Sequence, residues 1–257
     1  MKRALIGHTG FVGSNLLRQG AFTETFNSSN CAELKDKHFD EVWCAGVRAM
    51  KWWANQHPDE DWQGIAPLLD CLQAVTCDKF VLISTVDVFS DPSGKNEASL
   101  PEKKGLHPYG LHRLEVEKAI WERFPQSLTV RLPGLFGHGL KKNVIYDFLH
   151  NNQTEKIHSD ACFQFYDLAN IFDDCMTALA AGLELVHFAV EPVAVHEVAK
   201  IILGRDFINH PQGVSPASYN FQTIHAAIFG AQGVYLQSRA TVLRNIKAFV
   251  QHERGAQ

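Results

Sequence analysis

At 257 residues, 46% hydrophobic and 20% charged, the chain has the make-up of a globular protein and is long enough to bury a large core. A formal net charge of -4 with no Lys/Arg tract excludes the electrostatic footprint of a nucleic-acid binder and points to a small-molecule ligand. No apolar stretch approaches the roughly 20 residues of a membrane span, and the opening MKRALIGHTGFVG fits neither a signal peptide nor a transit sequence, so a cytoplasmic location is expected.

In chain order, the first strand is expected at Arg3 to Ile6, followed by a glycine turn and a helix over Phe11 to Gln19. A second strand falls at Thr23 to Phe26 and a third at Glu41 to Ala45. A helix over Trp62 to Val75 leads to a strand at Lys79 to Ser84. A helix over Tyr109 to Phe124, with Leu114, Ala119 and Ile120 inward, leads to a strand at Leu128 to Leu132. Short apolar runs of this kind read as strands covered on both faces, and their alternation with helices implies a doubly wound parallel α/β sheet. Further on, Lys141 to Asn152, Ile171 to Ala181, Val195 to Leu203 and Thr241 to Gln251 read as helices, with a last strand at Val186 to Phe188. The expectation is a single domain over 1–257, with parts of 138–185 and 205–240 forming a small substrate-capping lobe. The six cysteines form no C-x-x-C pair, and several sit in apolar runs, which suits reduced, buried thiols.

The turn after the first strand carries Gly7, Gly10 and Gly13 at spacing G-x-x-G-x-x-G. Glycines there permit a tight turn, let the backbone approach a pyrophosphate, and let the helix pack close to the sheet, while the helix N-terminus offers N–H groups to the anion. Gly7, Thr9, Gly10, Phe11, Val12 and Gly13 are therefore the candidate dinucleotide cradle. His8 occupies a variable slot of the turn. Cofactor choice is read at the end of the second strand, where a carboxylate holds the ribose 2′-hydroxyl of NAD and a cation accommodates the 2′-phosphate of NADP. Here the residues are Asn27-Ser28-Ser29-Asn30, with Asn27 and Ser28 as candidate contacts and Arg48 a distant helper. The cofactor is NAD(P), with a lean to NADP; the same four residues also read as a plain polar turn. Ala45 and Gly46, after the third strand, lie towards the expected adenine and ribose.

Three more segments carry a resemblance. Leu82-Ile83-Ser84-Thr85-Val86-Asp87-Val88-Phe89 resembles the S-[ST]-x-x-V-[YF] strand end of the extended short-chain dehydrogenase/reductase family, the NAD-dependent epimerase/dehydratase group, and within it the form found in dTDP-4-dehydrorhamnose reductases. His107-Pro108-Tyr109-Gly110-Leu111-His112-Arg113-Leu114-Glu115 is similar to that family's P-Y-G-x-S-K-x-x-x-E helix start, and Arg131 to Gly139 to its R-x-x-x-x-Y-G-P-G segment. Glu191 to Val195 is similar to the short segment before a late helix of the family. The last 50 or so residues lie outside the resemblance.

The resemblance implies a Rossmann-type oxidoreductase, epimerase or dehydratase acting on a carbonyl or carbinol carbon of a nucleotide sugar or small ketone. It implies Thr85 as the hydroxyl holding the substrate oxygen, Tyr109 as the proton-transferring group, Pro133 among the cofactor contacts, and a homodimer. A phenol of pKa about 10 needs a nearby cation to act as a base at neutral pH, and one turn along a helix is where that cation belongs. Arg113 stands there in place of the family lysine. Arginine favours tyrosinate by charge but holds its proton too tightly for a relay. The alternative is thus a dinucleotide-binding sensor or scaffold with impaired turnover.

Substrate clues are fewer. Gly134 stands where epimerases of the group carry asparagine. Lys142 and Asn143, behind Lys141, are candidates for a diphosphate, or a solvated helix start. Asp87 either lines the substrate pocket or sits at the surface. Trp43, Trp52, Trp53 and Trp62 lie towards the cofactor side of the sheet, with Trp52 and Trp53 read as a pocket roof, or all four read as core and interface residues. The thirteen histidines show no H-x-H or H-E-x-x-H pair, so no metal site is expected.

Overall fold

The computed structural model describes residues 1–255. In chain order the elements are β1 (Arg3–Ile6), α1 (Phe11–Gln19), β2 (Glu24–Phe26), β3 (His38–Cys44), α2 (Lys51–Gln56), α3 (Pro58–Gln73), β4 (Thr76–Thr85), α4 (Pro108–Arg123) and β5 (Ser127–Leu132). They continue with β6 (Gly134–Phe136), α5 (Val144–His150), β7 (Cys162–Phe163), β8 (Phe165–Asp167), α6 (Ile171–Ala180), β9 (Leu185–His187), β10 (Val193–Ala194), α7 (Val195–Leu203) and α8 (Arg239–Gly255). No helix among the described residues is long and apolar enough to cross a membrane.

Two compact units divide the chain. The first comprises Met1–Asp91, Ser99–Leu132 and Ile171–Val186; the second comprises Pro92–Ala98, Pro133–Asn170 and His187–Gln257. The first unit is built on the sheet β2-β1-β3-β4-β5-β9, in which β1 pairs in parallel with β2 and β3, β3 with β4, and β4 with β5. Strand order reverses about β1, and in such sheets ligands bind outside the carboxyl ends of the strands at that point.

Both faces of the sheet are covered, which is why its strands read as unbroken apolar runs. On one face, Ile6, Phe26, Phe39, Val42, Phe80 and Leu82 pack with Ile65, Leu72, Val116 and Ile120 of the helices. On the other, the Trp43 ring stacks on Phe172 at 5.1 Å with Phe22 edge-on at 5.8 Å, so Trp43 is a core residue. Glu41 accepts from both Trp43 Nε1 (2.9 Å) and Arg3 Nε (2.7 Å). α3 begins earlier than its apolar pattern suggests, because Pro58 opens it and Asp59, Glu60 and Asp61 fill its first turn, where acidic groups complement the helix dipole.

The second unit contains the parallel pair β6–β8, the antiparallel pair β7–β10, and helices α5, α7 and α8. The helix expected over Lys141 to Asn152 is shorter. Asn143 caps its start, its Oδ1 accepting from Ile145 N (2.9 Å) and Tyr146 N (3.2 Å), and Asn151 ends it in the left-handed region at φ 51°. All six thiols are free, with Cys31, Cys44 and Cys175 buried.

One charged pair lies wholly inside the first unit. Arg131 of β5, 1% exposed, donates from Nε (3.0 Å) and Nη2 (2.6 Å) to Glu117 of α4, 0% exposed, and Ser84 Oγ donates to the same carboxylate at 2.5 Å. Glu115, two residues earlier, pairs at the surface with Lys103. Removing one partner strands a buried charge, at a cost of about 3–5 kcal/mol. Glu117→Ala is therefore expected to lower the urea midpoint sharply, whereas Glu115→Ala leaves it near wild type.

Candidate active site

Backbone crowding dictates the glycine turn. Gly7 follows β1 with φ 84°, and a Cβ on it would lie 2.5 Å from the Ala45 carbonyl and Gly46 Cα at the end of β3. A Cβ on Gly13 would lie 2.0 Å from the Gly7 carbonyl oxygen, so the first turn of α1 approaches the strand end as only glycine allows. Gly10, the residue before α1, is less confined, with its nearest contact at 3.3 Å. No side chain caps α1, so the first-turn N–H groups of Phe11, Val12 and Gly13 have no helical acceptor and present a positive dipole end to an anion. These features, at the reversal point of the sheet, fit the pyrophosphate of a dinucleotide. Thr9 lies within the turn, and Ala45 N donates to Ile6 O at 2.9 Å beside it. His8 instead donates from Nδ1 to the Phe26 carbonyl at 3.0 Å.

After β2, the polar turn is largely self-satisfied. Asn27 Oδ1 accepts from Ser29 N (2.8 Å) and Oγ (2.6 Å), and Asn30 Oδ1 accepts from Asn27 N (2.8 Å). Ser28 is exposed. Arg48 is engaged elsewhere: its guanidinium lies 5.0 Å over the Trp53 ring and its carbonyl accepts from Arg113.

A second constellation forms where β4 ends and α4 begins. His107 caps α4, its Nδ1 accepting from Gly110 N at 3.0 Å, and Pro108 opens the helix. This puts Tyr109, 7% exposed, in its first turn. Its phenol lies beside Thr85, the last residue of β4, and its N–H donates to Asn55 of α2 at 3.0 Å. Gly110 is obligatory here, since a Cβ would lie 2.1 Å from the Asp87 carbonyl. Burial pushes the phenol above the ordinary 10.0; Arg113, Thr85 and Lys51 pull it down, while Asp87 adds to the rise.

Arg113 lies over the face of the Tyr109 ring, 4.2 Å from its centroid. Its donors go to the carboxylate of Asp61 on α3 and to the Arg48 carbonyl. His112 also bonds Asp61, through Nδ1 at 2.8 Å. Burial alone would raise Asp61, but hydrogen bonds from Arg113 and His112 outweigh it and hold the carboxyl below the ordinary 3.8. Asp87, between Thr85 and Phe89, accepts from Lys51 Nζ at 2.8 Å, and its N–H donates to Thr85 Oγ1 at 3.1 Å.

In the second unit, Pro133 and Gly134 follow directly after Leu132. A Cβ on Gly134 would lie 2.6 Å from the Gln164 carbonyl, so no asparagine fits there without displacing β8's neighbour. The sequence offers Asn143 as a ligand amide, but both ends of that amide are spent within the chain: Oδ1 caps α5 and Nδ2 donates to Leu135 O at 2.8 Å. Lys142, two residues before α5, is exposed. Trp52 and Trp62 are exposed, while Trp53 stacks on His57 at 5.3 Å. His158, Asp160 and His210 come together with ligand atoms within 4.8 Å of one another, a grouping that local spacing rules cannot see. Asp61, Lys51 and Asn55 likewise escaped the sequence reading, since each acts on a residue more than 30 positions away.

A model of the NAD dependent epimerase/dehydratase family matches residues 22–160, more than half of the chain. No curated protein matches it in sequence. Among solved structures, UDP-glucose 4-epimerase from Thermotoga maritima, solved with UDP-glucose, aligns at TM-score 0.77 and 13% identity over 100% of this chain and 99% of that one. A dTDP-4-dehydrorhamnose reductase from Bacillus anthracis, in complex with NADP, aligns at 0.75 and 17% identity over 98% and 99%. A UDP-glucuronic acid 4-epimerase from Bacillus cereus, in complex with NAD, aligns at 0.73 and 16% over the whole of both chains. At these identities the likeness establishes a shared fold.

Two outcomes test the site's construction. Gly13→Ala forces a methyl into the Gly7 carbonyl, so it is expected to lower the melting temperature and abolish dinucleotide binding, as read by tryptophan fluorescence. Asp61, held below its ordinary value, contributes stability that is complete above about pH 4 and is lost as pH falls through the depressed value. Asp61→Asn should therefore melt lower at neutral pH and show a shallower loss of melting temperature on acidification than wild type.

Proposed function

The chain belongs to the NAD dependent epimerase/dehydratase family, and from that premise we propose that it oxidises or reduces a carbinol or carbonyl carbon of a nucleotide-linked sugar or smaller ketone with a nicotinamide dinucleotide. The observation that carries the reading is Tyr109, in the first turn of α4, placed beside Thr85 at the carboxyl end of β4, on the same sheet as the glycine turn at its reversal point.

Gly7, Thr9, Gly10, Phe11, Val12 and Gly13 hold the pyrophosphate, with Ala45 and Gly46 as further contacts along the dinucleotide. When bound, that group supplies or accepts a hydride at its nicotinamide ring. Thr85 holds the substrate oxygen by hydrogen bond. In the reducing direction Tyr109 gives its phenolic proton to that oxygen and is left as tyrosinate; in the oxidising direction it takes the proton back. Burial keeps Tyr109 protonated at neutral pH, which suits the donating role. Asp87, held by Lys51, faces the same turn and is the candidate substrate contact in this unit; Lys142 is the candidate for a diphosphate in the other. NADP is the preferred form, because no carboxylate follows β2 to hold an adenosine ribose 2′-hydroxyl.

The reading that the fold binds a dinucleotide without turnover draws on one observation: Arg113 is engaged with Asp61 rather than left as a lysine-like relay group. The two are separated by titrating the protein with NADPH and with NADH while following tryptophan quenching, then assaying nucleotide sugars and ketones. Tighter binding of NADPH with measurable turnover is expected. Tyr109→Phe should retain binding and lose at least about 100-fold in turnover; binding with no turnover on any substrate class favours the sensor, and no binding of either dinucleotide overturns both.

The pH profile follows from the raised phenol. Reduction needs the protonated form, so its rate should show no alkaline limb before the ordinary tyrosine value of 10.0. Oxidation needs tyrosinate and should rise with pH across the same range.

A further inference from the structure

Tyr109 is enclosed by charges from four elements. From α4 comes Arg113, from α3 its partner Asp61, from α2 Lys51, and from the turn after β4 Asp87; the His107 ring lies 6.1 Å from the tyrosine ring at the helix cap. The two cations are not equivalent. Arg113 meets the ring face, not the hydroxyl edge, and its donors are taken by a carboxylate with 1% of its side chain exposed and by a backbone carbonyl. A guanidinium so placed packs and orients the ring, and it does not exchange its proton at physiological pH.

Lys51 is placed differently. Its Nζ donates to Asp87 Oδ1 at 2.8 Å; the Asp87 N–H donates to Thr85 Oγ1 at 3.1 Å; and the Tyr109 phenol lies beside Thr85. The three elements are clamped together, because Asn55, one turn along α2 from Lys51, accepts the Tyr109 N–H at 3.0 Å, and the Asp87 carbonyl fills the space a side chain at 110 would need. The Lys51 side chain is also 38% exposed, whereas that of Arg113 is 4% exposed.

We propose that Lys51 is the positioning cation of the Tyr109 site, setting the phenol's proton affinity by neutralising Asp87 across the Thr85 turn, while Arg113 is the structural partner of Asp61. The proposal rests on the reading above that Tyr109 is the proton-transferring group. Without Lys51, the Asp87 carboxylate stands uncompensated beside the phenol and opposes tyrosinate. Without Asp87, the Lys51 charge acts on the phenol unopposed and favours it. The two partners of one ion pair therefore shift Tyr109 in opposite directions, which a merely structural clamp would not do.

The test is a titration of protein labelled at tyrosine 13Cζ, with no dinucleotide or substrate added, the Tyr109 signal being identified among five tyrosines by its loss in Tyr109→Phe. Asp87→Asn should lower the Tyr109 titration by about one pH unit or more, and Lys51→Met should raise it by a similar amount. Lys51→Arg should restore most of the wild-type position, and the double variant Lys51→Met/Asp87→Asn should return close to it. Unchanged titration in Asp87→Asn, or a shift of the same sign in both single variants, overturns the proposal. Dinucleotide binding by the same proteins is measured separately, so a failure of the functional reading, seen as no binding, is distinct from a failure of the Lys51 assignment, seen in the phenol alone.

Discussion

The bidentate pair between Glu117 and Arg131 sets the orientation on which the candidate site depends. Two charges so deeply buried persist only because each satisfies the other, with Ser84 completing the carboxylate's shell. The pair joins α4 to β5 and to the residue just before Thr85, and it admits one rotation of the helix. Tyr109, Arg113 and Glu117 follow one another at intervals of four, so they form a single stripe on that helix. All three are buried, and each meets a partner on a different element: Thr85 on β4, Asp61 on α3, Arg131 on β5. Fixing the last of the three fixes the phenol against the threonine.

The glycine turn is a constraint of another sort, made of excluded volume. Gly7 and Gly13 are required by protein atoms, since the Ala45–Gly46 backbone and the Gly7 carbonyl occupy the places of their side chains. Those glycines would be needed whether or not a ligand ever bound. What speaks for an anion is the combination with an uncapped helix start at the sheet's reversal point, where unpaired N–H groups and the helix dipole act together.

Much of this was readable along the chain because it depends on local pattern. The five parallel strands, α1 and α7 fall where apolar runs and glycine punctuation put them, and Thr85 and Tyr109 emerge from short segments whose contacts are also local to one strand end and one helix start. What escaped was tertiary. α2 is six residues of KWWANQ without a side-chain cap, too short for a periodicity to show, and it is held by contacts such as Asn55 to Tyr109. The first turn of α3, Pro58 to Asp61, carries only proline and acidic residues, so the apolar pattern starts at Trp62, although Pro58 and the three acidic residues announce the true start. Of the two glutamates near the start of α4, Glu115 pairs at the surface with Lys103 and Glu117, on the Tyr109–Arg113 stripe, is the one that faces inward.

The arginine at 113 is intelligible in these terms. A lysine offers a point charge on a flexible stem, whereas a guanidinium presents a rigid fork that can span a carboxylate and a carbonyl while its plane lies on an aromatic ring. At this position the fork joins α4 to α3 and to the loop before α2, drawing together the elements that carry Asn55 and Lys51. That gain in architecture removes a dissociable proton from the stripe, and the charge of Arg113 is largely matched by Asp61. Burial consequently prevails over attraction, and the phenol is held above its ordinary value. A tyrosine so held stays protonated past the ordinary phenol range, so under the proposed role of Tyr109 the site is better suited to giving a substrate oxygen a proton than to taking one.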